Sequence, residues 1–597
     1  MITDSNTITA FGSLPVWQTL GTAVLILSAF FGFGKLLLRS FPKEHTVSFA
    51  LGTACFMTFF ALLPPSRGVL WAAVLPFSCW GIRELFPAIK SSPGKAALVA
   101  FLFLAFLGSA LLPPYAWDEQ TYQLALPLRY LRSSSFAPCP DNPYSFYPAL
   151  TSWFFANTIA LGGMELPRII VGAITPLLLA ALWRVTSQWG KLPAVFAVAA
   201  LLLSPLFLNM NRAVYVENFI ALFTFGGLLA MWKFRKKSYW APVVCGILAG
   251  VSFAVKPTGA VGALLLFLLF MIKPGEWKKW LLFCGTAFIF SFFWYLRTFL
   301  YTGNFFYPYS LFPLPGSVEY FHKLMGSARY GLEGITGTAL NWLFAGFDKK
   351  LFDGIVTGFH LPLLGAAAAA GALCWQKRHP KHAKLIYGGA AAFLLPLIIW
   401  STFFPQSRFL LPLLPLAVAA GVRAISLSSH RKTGYCILGG VLLCTLVFQS
   451  FQFLRHYYVS WKIFNAVRNA PERSLGILTR DPGLFKAFDF LAKATPKDAR
   501  CLLLMERRGL YCPRSYRIAC PGFEPSLTPV PESSEKLLEK LRSFDYIIVG
   551  NTTQDVDLQS ANAEEYKKVF SHLRELLERG KVKMLDSSGY AVLQIIK

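Results

Sequence analysis

Charge is scarce in this chain, and acidic charge scarcest: 15% of its 597 residues are Asp, Glu, Lys or Arg, with 30 acids against 57 bases. Soluble domains carry about 25% charged residues, so a water-soluble enzyme is excluded first. No charged residue lies between Asp4 and Lys35, His45 and Arg67, Lys95 and Asp118, Lys191 and Arg212, or Asp353 and Lys377. Cysteine forms no framework either. Seven of the eleven (Cys55, Cys79, Cys245, Cys284, Cys374, Cys436 and Cys444) fall inside apolar runs, where a thiol behaves as a small hydrophobe. Cys139, Cys501, Cys512 and Cys520 lie in expected aqueous segments without CxxC or Cys/His metal spacing; Cys512 and Cys520 could pair in an oxidising compartment. The region after residue 470 contains no GxGxxG, P-loop or nucleophile elbow, so no chemistry is assigned to it.

What is abundant is apolar sequence: 55% of residues are hydrophobic and 16% aromatic. Runs of about 18 residues or more cross the hydrocarbon core of a bilayer as helices. The pattern therefore predicts a polytopic, mainly α membrane protein, a bundle of about 12–14 spanning helices. The net charge of +27 would suit nucleic acid, but its bases cluster in short connectors: Lys35 to Lys43, Arg83 to Lys95, Arg235 to Lys237, Lys273 to Lys279, Lys377 to Lys384, and Arg431 with Lys432. That is the signature of cytoplasmic loops, and it argues against a nucleic-acid partner.

Placing those connectors inside the cell orients the spans. They are expected near 15–36, 46–63, 68–87, 95–112, 167–186, 192–208, 216–232, 240–255, 257–272, 280–299, 356–375, 385–404, 407–425 and 434–453. The first run has no basic n-region and does not read as a cleavable signal peptide. Segments 113–166, 209–217, 301–355 and everything after about 455 then emerge on the extracytoplasmic side. After residue 470 charge becomes frequent. Strand-like runs at Cys501–Met505, Tyr546–Val549 and Val582–Ile596 alternate with helix-like stretches near 482–494, 534–543 and 562–579. This predicts three parts: N-terminal spanning helices over 1–95, a membrane region with external loops over 96–465, and a small external α/β domain over 470–597.

Asp118 and Glu119 stand at the water interface just after a span. Tyr122, Leu126 and Tyr130 follow at helical spacing, with Arg129 and Arg132 on other faces, as in an amphipathic helix lying in the interface plane. Read from the residues alone, Asp118 either caps this helix or does chemistry. The stretch Tyr115-Ala-Trp-Asp-Glu-Gln-Thr-Tyr122 resembles the first external loop of GT-C glycosyltransferases, the group of protein O-mannosyltransferases and lipid A aminoarabinose transferases. Asn142-Pro-Tyr-Ser-Phe-Tyr-Pro-Ala-Leu150 resembles that group's Tyr/Pro-rich segment, and Ser204 to Glu217 its second external loop. Gly246 to Gly259 resembles its Gly-rich span ending in Lys-x-Thr-Gly, Trp294 to Pro308 its WYLRN…TGNP…YP pattern, and Gln406 to Pro415 its RYLLPxLP segment. Two departures stand out: Glu217 where Asp is common, and Thr298 in place of the usual Asn.

The resemblance implies an enzyme: a membrane glycosyltransferase (hexosyl or pentosyl) that moves a sugar from a polyprenyl-phosphate donor to a lipid, glycan or protein acceptor outside the cytoplasm. It implies Asp118 as general base with Glu119 beside it, and Lys256, Arg297 and Arg408 as counter-charges for the departing phosphate. Glu217 and Tyr122 join them as substrate-binding candidates. One base and direct displacement imply inversion at the anomeric carbon. No cofactor is required, though a divalent cation at the acids is left open, with no ligand spacing that specifies one. A bacterial inner membrane is the expected location, because the resemblance is to bacterial members. Each base also has a plainer reading, since Lys and Arg at span ends snorkel to head groups. His322 and His360, in or near the long external segment, read as structural. Rival classes are a transporter or flippase, which would show repeated halves and acids at mid-span, a polyprenyl-linked glycan polymerase or ligase with one large periplasmic loop, and a non-catalytic scaffold.

Overall fold

The computed structural model describes residues 15–39, 44–91, 114–133, 135–211, 213–234, 239–271, 276–307, 334–345, 360–378, 383–403, 406–447, 481–520, 530–550, 563–587 and 590–596, with a few isolated positions between them. The expected span near 95–112 and most of segment 301–355, including His322, lie outside the described residues.

The protein is mainly α-helical, with a small sheet near its C-terminus. Four described helices are long and apolar enough to cross a bilayer: Trp17–Leu37, Arg67–Pro87, Glu165–Trp189 and Trp277–Thr302. Shorter apolar helices, among them His45–Ala61, Lys191–Leu202, Trp240–Val255, Pro257–Met271 and Leu414–Leu427, pack beside them. The outward face of Trp277–Thr302 carries exposed Leu281, Phe288, Ile289 and Leu300. In water such a face would be an aggregation surface; against lipid tails it costs nothing.

Lipid offers little hydrophobic drive for helices to associate, so they must meet by close packing. Helices Val16–Leu37 and His45–Ala61 do so at Gly34 and Gly52. A Cβ on Gly34 would collide with the Ser48 carbonyl, and one on Gly52 with the Phe30 carbonyl. Helix Trp277–Thr302 stops at Gly303, whose φ of 70° suits the left-handed cap, and Asn304 then accepts the Phe306 amide through Oδ1 at 2.9 Å.

The segment after residue 113 is helical from Glu119, opening with a π turn over Glu119–Gln123 and continuing as α-helix over Ala125–Ser133. Its apolar residues Tyr122, Leu126 and Tyr130 are buried among Phe136, Tyr144 and Trp153, so this helix packs into protein and does not lie bare on the membrane.

After residue 481 the chain forms the expected α/β domain, with strands β1 (Arg500–Leu504), β2 (Ser515–Ala519), β3 (Tyr546–Val549), β4 (Val582–Asp586) and β5 (Ala591–Ile595) in the order β2-β1-β3-β5-β4. β1 runs parallel to β2 and β3, whereas β5 is antiparallel to β3 and β4. Alternation along β1 sends Leu502 and Leu504 to a core with Leu537, Leu541, Val569 and Leu573 of the helices Ser534–Leu541 and Ala563–Glu578. Cys501 and Leu503 point the other way, into a core shared with helix Pro482–Ala494 and continuous with the membrane region. Two differences from expectation appear here. β2 was not foreseen, and the run Val582–Ile596 is not one strand but two antiparallel ones, Val582–Asp586 and Ala591–Ile595. None of the eleven cysteines, Cys512 and Cys520 included, forms a disulfide, and the Cys512 thiol is hydrogen-bonded to that of Cys501.

Candidate active site

Asp118 does not cap its helix: its side chain makes no capping bond. Its Oδ2 instead accepts from the Tyr122 hydroxyl at 2.7 Å and from Arg408 Nη1 at 2.6 Å, across 290 positions of sequence. The π turn sets Tyr122 beside Asp118, and insertions of this kind recur at functional sites. Arg408 sits in a short 3-10 turn, Ser407–Leu410, and a side-chain bond from its Nε to Gln406 Oε1 at 3.0 Å fixes its aim. The Asp118 side chain is 10% exposed and that of Arg408 14%, so the pair is screened little but not sealed.

A second ion pair lies next to it. Lys256 Nζ reaches Glu217 Oε1 at 2.8 Å. Lys256 breaks the helix Trp240–Val255 at an extended backbone position before Pro257, while Glu217 opens the helix Glu217–Lys233. The two pairs share an aromatic floor. The Phe409 ring lies 4.8 Å from Lys256 Nζ and 5.3 Å from the Arg408 guanidinium, and Tyr215 lies 5.9 Å from that guanidinium. Glu217 Oε2 is buried with no hydrogen-bond partner among the described residues. Burial, then the Asp118 charge, pushes the phenols of Tyr122 and Tyr215 well above the usual tyrosine range. Both therefore stay neutral and able to donate.

Glu119 and Arg297, also expected in the site, are placed elsewhere. Glu119 is fully buried, and its carboxylate is consumed: Oε2 accepts the amides of Tyr115 and Ala116, both at 3.0 Å, while Oε1 accepts Val214 N at 2.9 Å and faces Arg168 Nε at 3.0 Å. It ties the segment 115–119 to Val214 through three backbone amides. Arg297 donates to the carbonyls of Ser145 and Phe136 at 3.1 Å and of Tyr147 at 3.4 Å, and lies against Trp153 and Tyr301. It holds the loop that carries Tyr144, which stacks on Tyr122 with ring centroids 4.3 Å apart. His360 is fully buried with Nε2 2.6 Å from the Ala200 carbonyl, a structural contact.

Tyr215, Phe409 and Arg168 were not singled out from the sequence. Arg168 carried a usable signal, an ionisable residue inside an apolar run. Tyr215 and Phe409 carried none beyond adjacency to Glu217 and Arg408. Among the described residues, no group of three His, Cys, Asp or Glu is gathered as a metal site would need.

Residues 147–296 match the family model described as "Dolichyl-phosphate-mannose-protein mannosyltransferase". The whole architecture is similar to two crystal structures of ArnT from Cupriavidus metallidurans. The apo form gives a TM-score of 0.50 at 14% identity, covering 84% of this chain and 98% of that one. The form bound to undecaprenyl phosphate gives 0.52 at 15% identity, covering 85% and 98%. The protein has an ArnT-like GT-C fold. No curated protein is matched by the sequence. Within this GT-C framework Glu217 and Lys256 fall inside the family match, whereas Asp118 and Arg408 lie outside it and are joined to them only by folding. The apolar helices and the GT-C fold together make this an integral membrane protein.

Proposed function

We propose that this protein transfers a sugar from a polyprenyl-phosphate donor to an acceptor on the extracytoplasmic side of a bacterial inner membrane, with Asp118 as general base. The observation that carries the reading is the Asp118–Arg408 pair with Lys256–Glu217 beside it over one Phe409 ring. The GT-C fold, and an ArnT of that fold bound to undecaprenyl phosphate, support a polyprenyl phosphate as the leaving group.

Transfer of this kind needs no general acid, because a phosphate leaves as a stable anion. It needs a cation to meet the charge that develops on the leaving oxygen, and a carboxylate to take the acceptor's proton. Arg408 neutralises Asp118. A phosphate bound between Arg408 and Lys256 competes for the guanidinium, through charge-assisted bonds at least as strong. Asp118 is then released to accept the hydroxyl proton as the acceptor oxygen bonds to the anomeric carbon. The carbon–phosphate oxygen bond breaks, its electron pair leaves with the phosphate, and the configuration inverts. Tyr122, neutral and bonded to Oδ2, orients the carboxylate. Glu217 Oε2, buried and unpartnered among the described residues, is set to accept from a hydroxyl or amine of the sugar.

The test uses purified protein in detergent, radiolabelled polyprenyl-phosphate sugars, and membrane extract as acceptor. Transfer with inverted stereochemistry that is lost in Asp118→Asn supports the reading. Transfer at the wild-type rate in Asp118→Asn, or retention of configuration, overturns the assignment of the base.

A further inference from the structure

We propose that the C-terminal domain is a working part of the transfer site, with Tyr511 and Asp141 as positioning residues that hold the Asp118 segment in register; this rests on Asp118 as the base. In the sheet, β2 and β3 lie on opposite sides of β1 and both run parallel to it. The chain connections diverge there, and in open α/β sheets the crevice at the carboxyl ends of such strands is where ligands bind. Here the loop that leaves β1 at that end bonds to the protein's own segment 114–120.

The loop leaving β1 is built to be stiff. Met505 has a φ of 60°, a conformation seldom adopted by a side-chain-bearing residue, and its amide is bonded to the Ala519 carbonyl at 2.8 Å. Arg508 Nη2 is held by Glu506 Oε2 and Asp481 Oδ2, both at 2.6 Å, and the Tyr590 hydroxyl donates to Asp481 at 2.7 Å. From this base Leu510 and Tyr511 reach across. Leu510 N donates to the Gln120 carbonyl at 3.1 Å, and the buried Tyr511 hydroxyl donates to the Pro114 carbonyl at 2.9 Å. The Gln120 side chain donates to the same Pro114 carbonyl at 3.2 Å. The bonds therefore fall on both sides of Asp118, and on backbone oxygens, where they fix the path of the chain.

A second tie secures the far end of the same segment. Asp141 takes both guanidinium nitrogens of Arg129, at 2.9 and 2.7 Å, and also accepts Ile518 N of β2 at 2.9 Å. Arg129 lies 5.0 Å from the Tyr516 ring. A base must be held within about 0.5 Å of its productive position, and a misplacement of about 1 Å can cost a hundredfold in rate. Contacts at Pro114, Gln120, Arg129 and Asp141 supply that constraint from the C-terminal domain.

The experiment compares full-length Tyr511→Phe and Asp141→Asn with wild type and with Arg579→Ala, a surface control whose partners are Glu535 and Glu575. Measured are kcat, the donor KM, the pH profile of kcat and the melting temperature. The expected result is a fall in kcat of about tenfold in each, with donor KM changed by less than about twofold and a displaced acid limb; the melting temperature stays close to wild type in Tyr511→Phe, which therefore decides, and falls in Asp141→Asn, which takes the counter-charge from Arg129. Wild-type kcat and pH profile in both variants overturn the proposal. So does a kcat loss that only tracks a lowered melting temperature. An Asp118→Asn variant run alongside separates the two readings. If it transfers at the wild-type rate, the base assignment falls and this proposal with it. If it is inactive while Tyr511→Phe and Asp141→Asn match wild type, only the positioning role falls.

Discussion

Asp118 keeps a partly open side chain between Tyr122 and Arg408, whereas Glu119 beside it is sealed against Arg168 and three backbone amides. The two carboxylates should fail differently when neutralised. Asp118→Asn is expected to lower kcat by about 10²–10⁴-fold, the usual worth of a general base, without a matching loss of thermal stability. Glu119→Gln leaves the Arg168 guanidinium buried without its counter-charge, which costs about 3–5 kcal/mol; thermal melts in detergent should show it as the less stable protein. Tyrosine ionisation should not shape the alkaline side of the rate profile. Burial and the Asp118 charge hold Tyr122 and Tyr215 protonated beyond the usual tyrosine value of about 10. Any alkaline limb below that value should therefore persist in Tyr122→Phe.

At the scale of elements, the site is made where helices start, stop or change pitch. Asp118 precedes a π turn, Glu217 opens a helix, Lys256 interrupts one before Pro257, and Arg408 rides a 3-10 turn. Such places free backbone polar groups and aim side chains sideways, which a continuous apolar helix cannot do. The N-terminal helices show the opposite design, with backbones in contact at Gly34 and Gly52. Gly34→Val forces them apart, an overpacking that costs about 1–3 kcal/mol. The expected outcome is a lower melting temperature, with kcat of the folded fraction unchanged.

At the scale of the molecule, a membrane bundle and an α/β domain share one core and close on one loop. The domain's grip depends on pH through Asp481. Burial alone would raise that carboxyl, but hydrogen bonds from Tyr590 and Arg508 outweigh it and hold it below the usual carboxylate range. Its stabilisation is therefore complete above the unfolded value of about 3.9 and is lost as pH falls through the lower folded value. Acid titration followed by melting should show the C-terminal domain loosening below about pH 4, with a flatter dependence in Asp481→Asn. The domain's side of the membrane has its own test. A thiol introduced at exposed Lys536 (Lys536→Cys) should react with an impermeant maleimide in intact cells, and labelling only after lysis would reverse the assigned topology.

The sequence by itself determined the solvent this protein folds in, because runs without charge can only be buried in lipid or in other apolar helices. It also determined the C-terminal α/β domain, from the return of charge and short β-rich runs, and the presence of Asp118, Glu217, Lys256 and Arg408 at span ends. Only the tertiary structure decided which of these meet. Asp118 and Glu119 are indistinguishable by hydropathy, yet one faces Arg408 and the other is locked to Arg168. Arg297 and Arg408 both stand at the ends of apolar runs, yet one secures loop carbonyls and the other a carboxylate. The reason is range. Hydropathy and helix periodicity act over a few turns of chain, whereas an ion pair joining positions 118 and 408 depends on how a dozen helices pack between them.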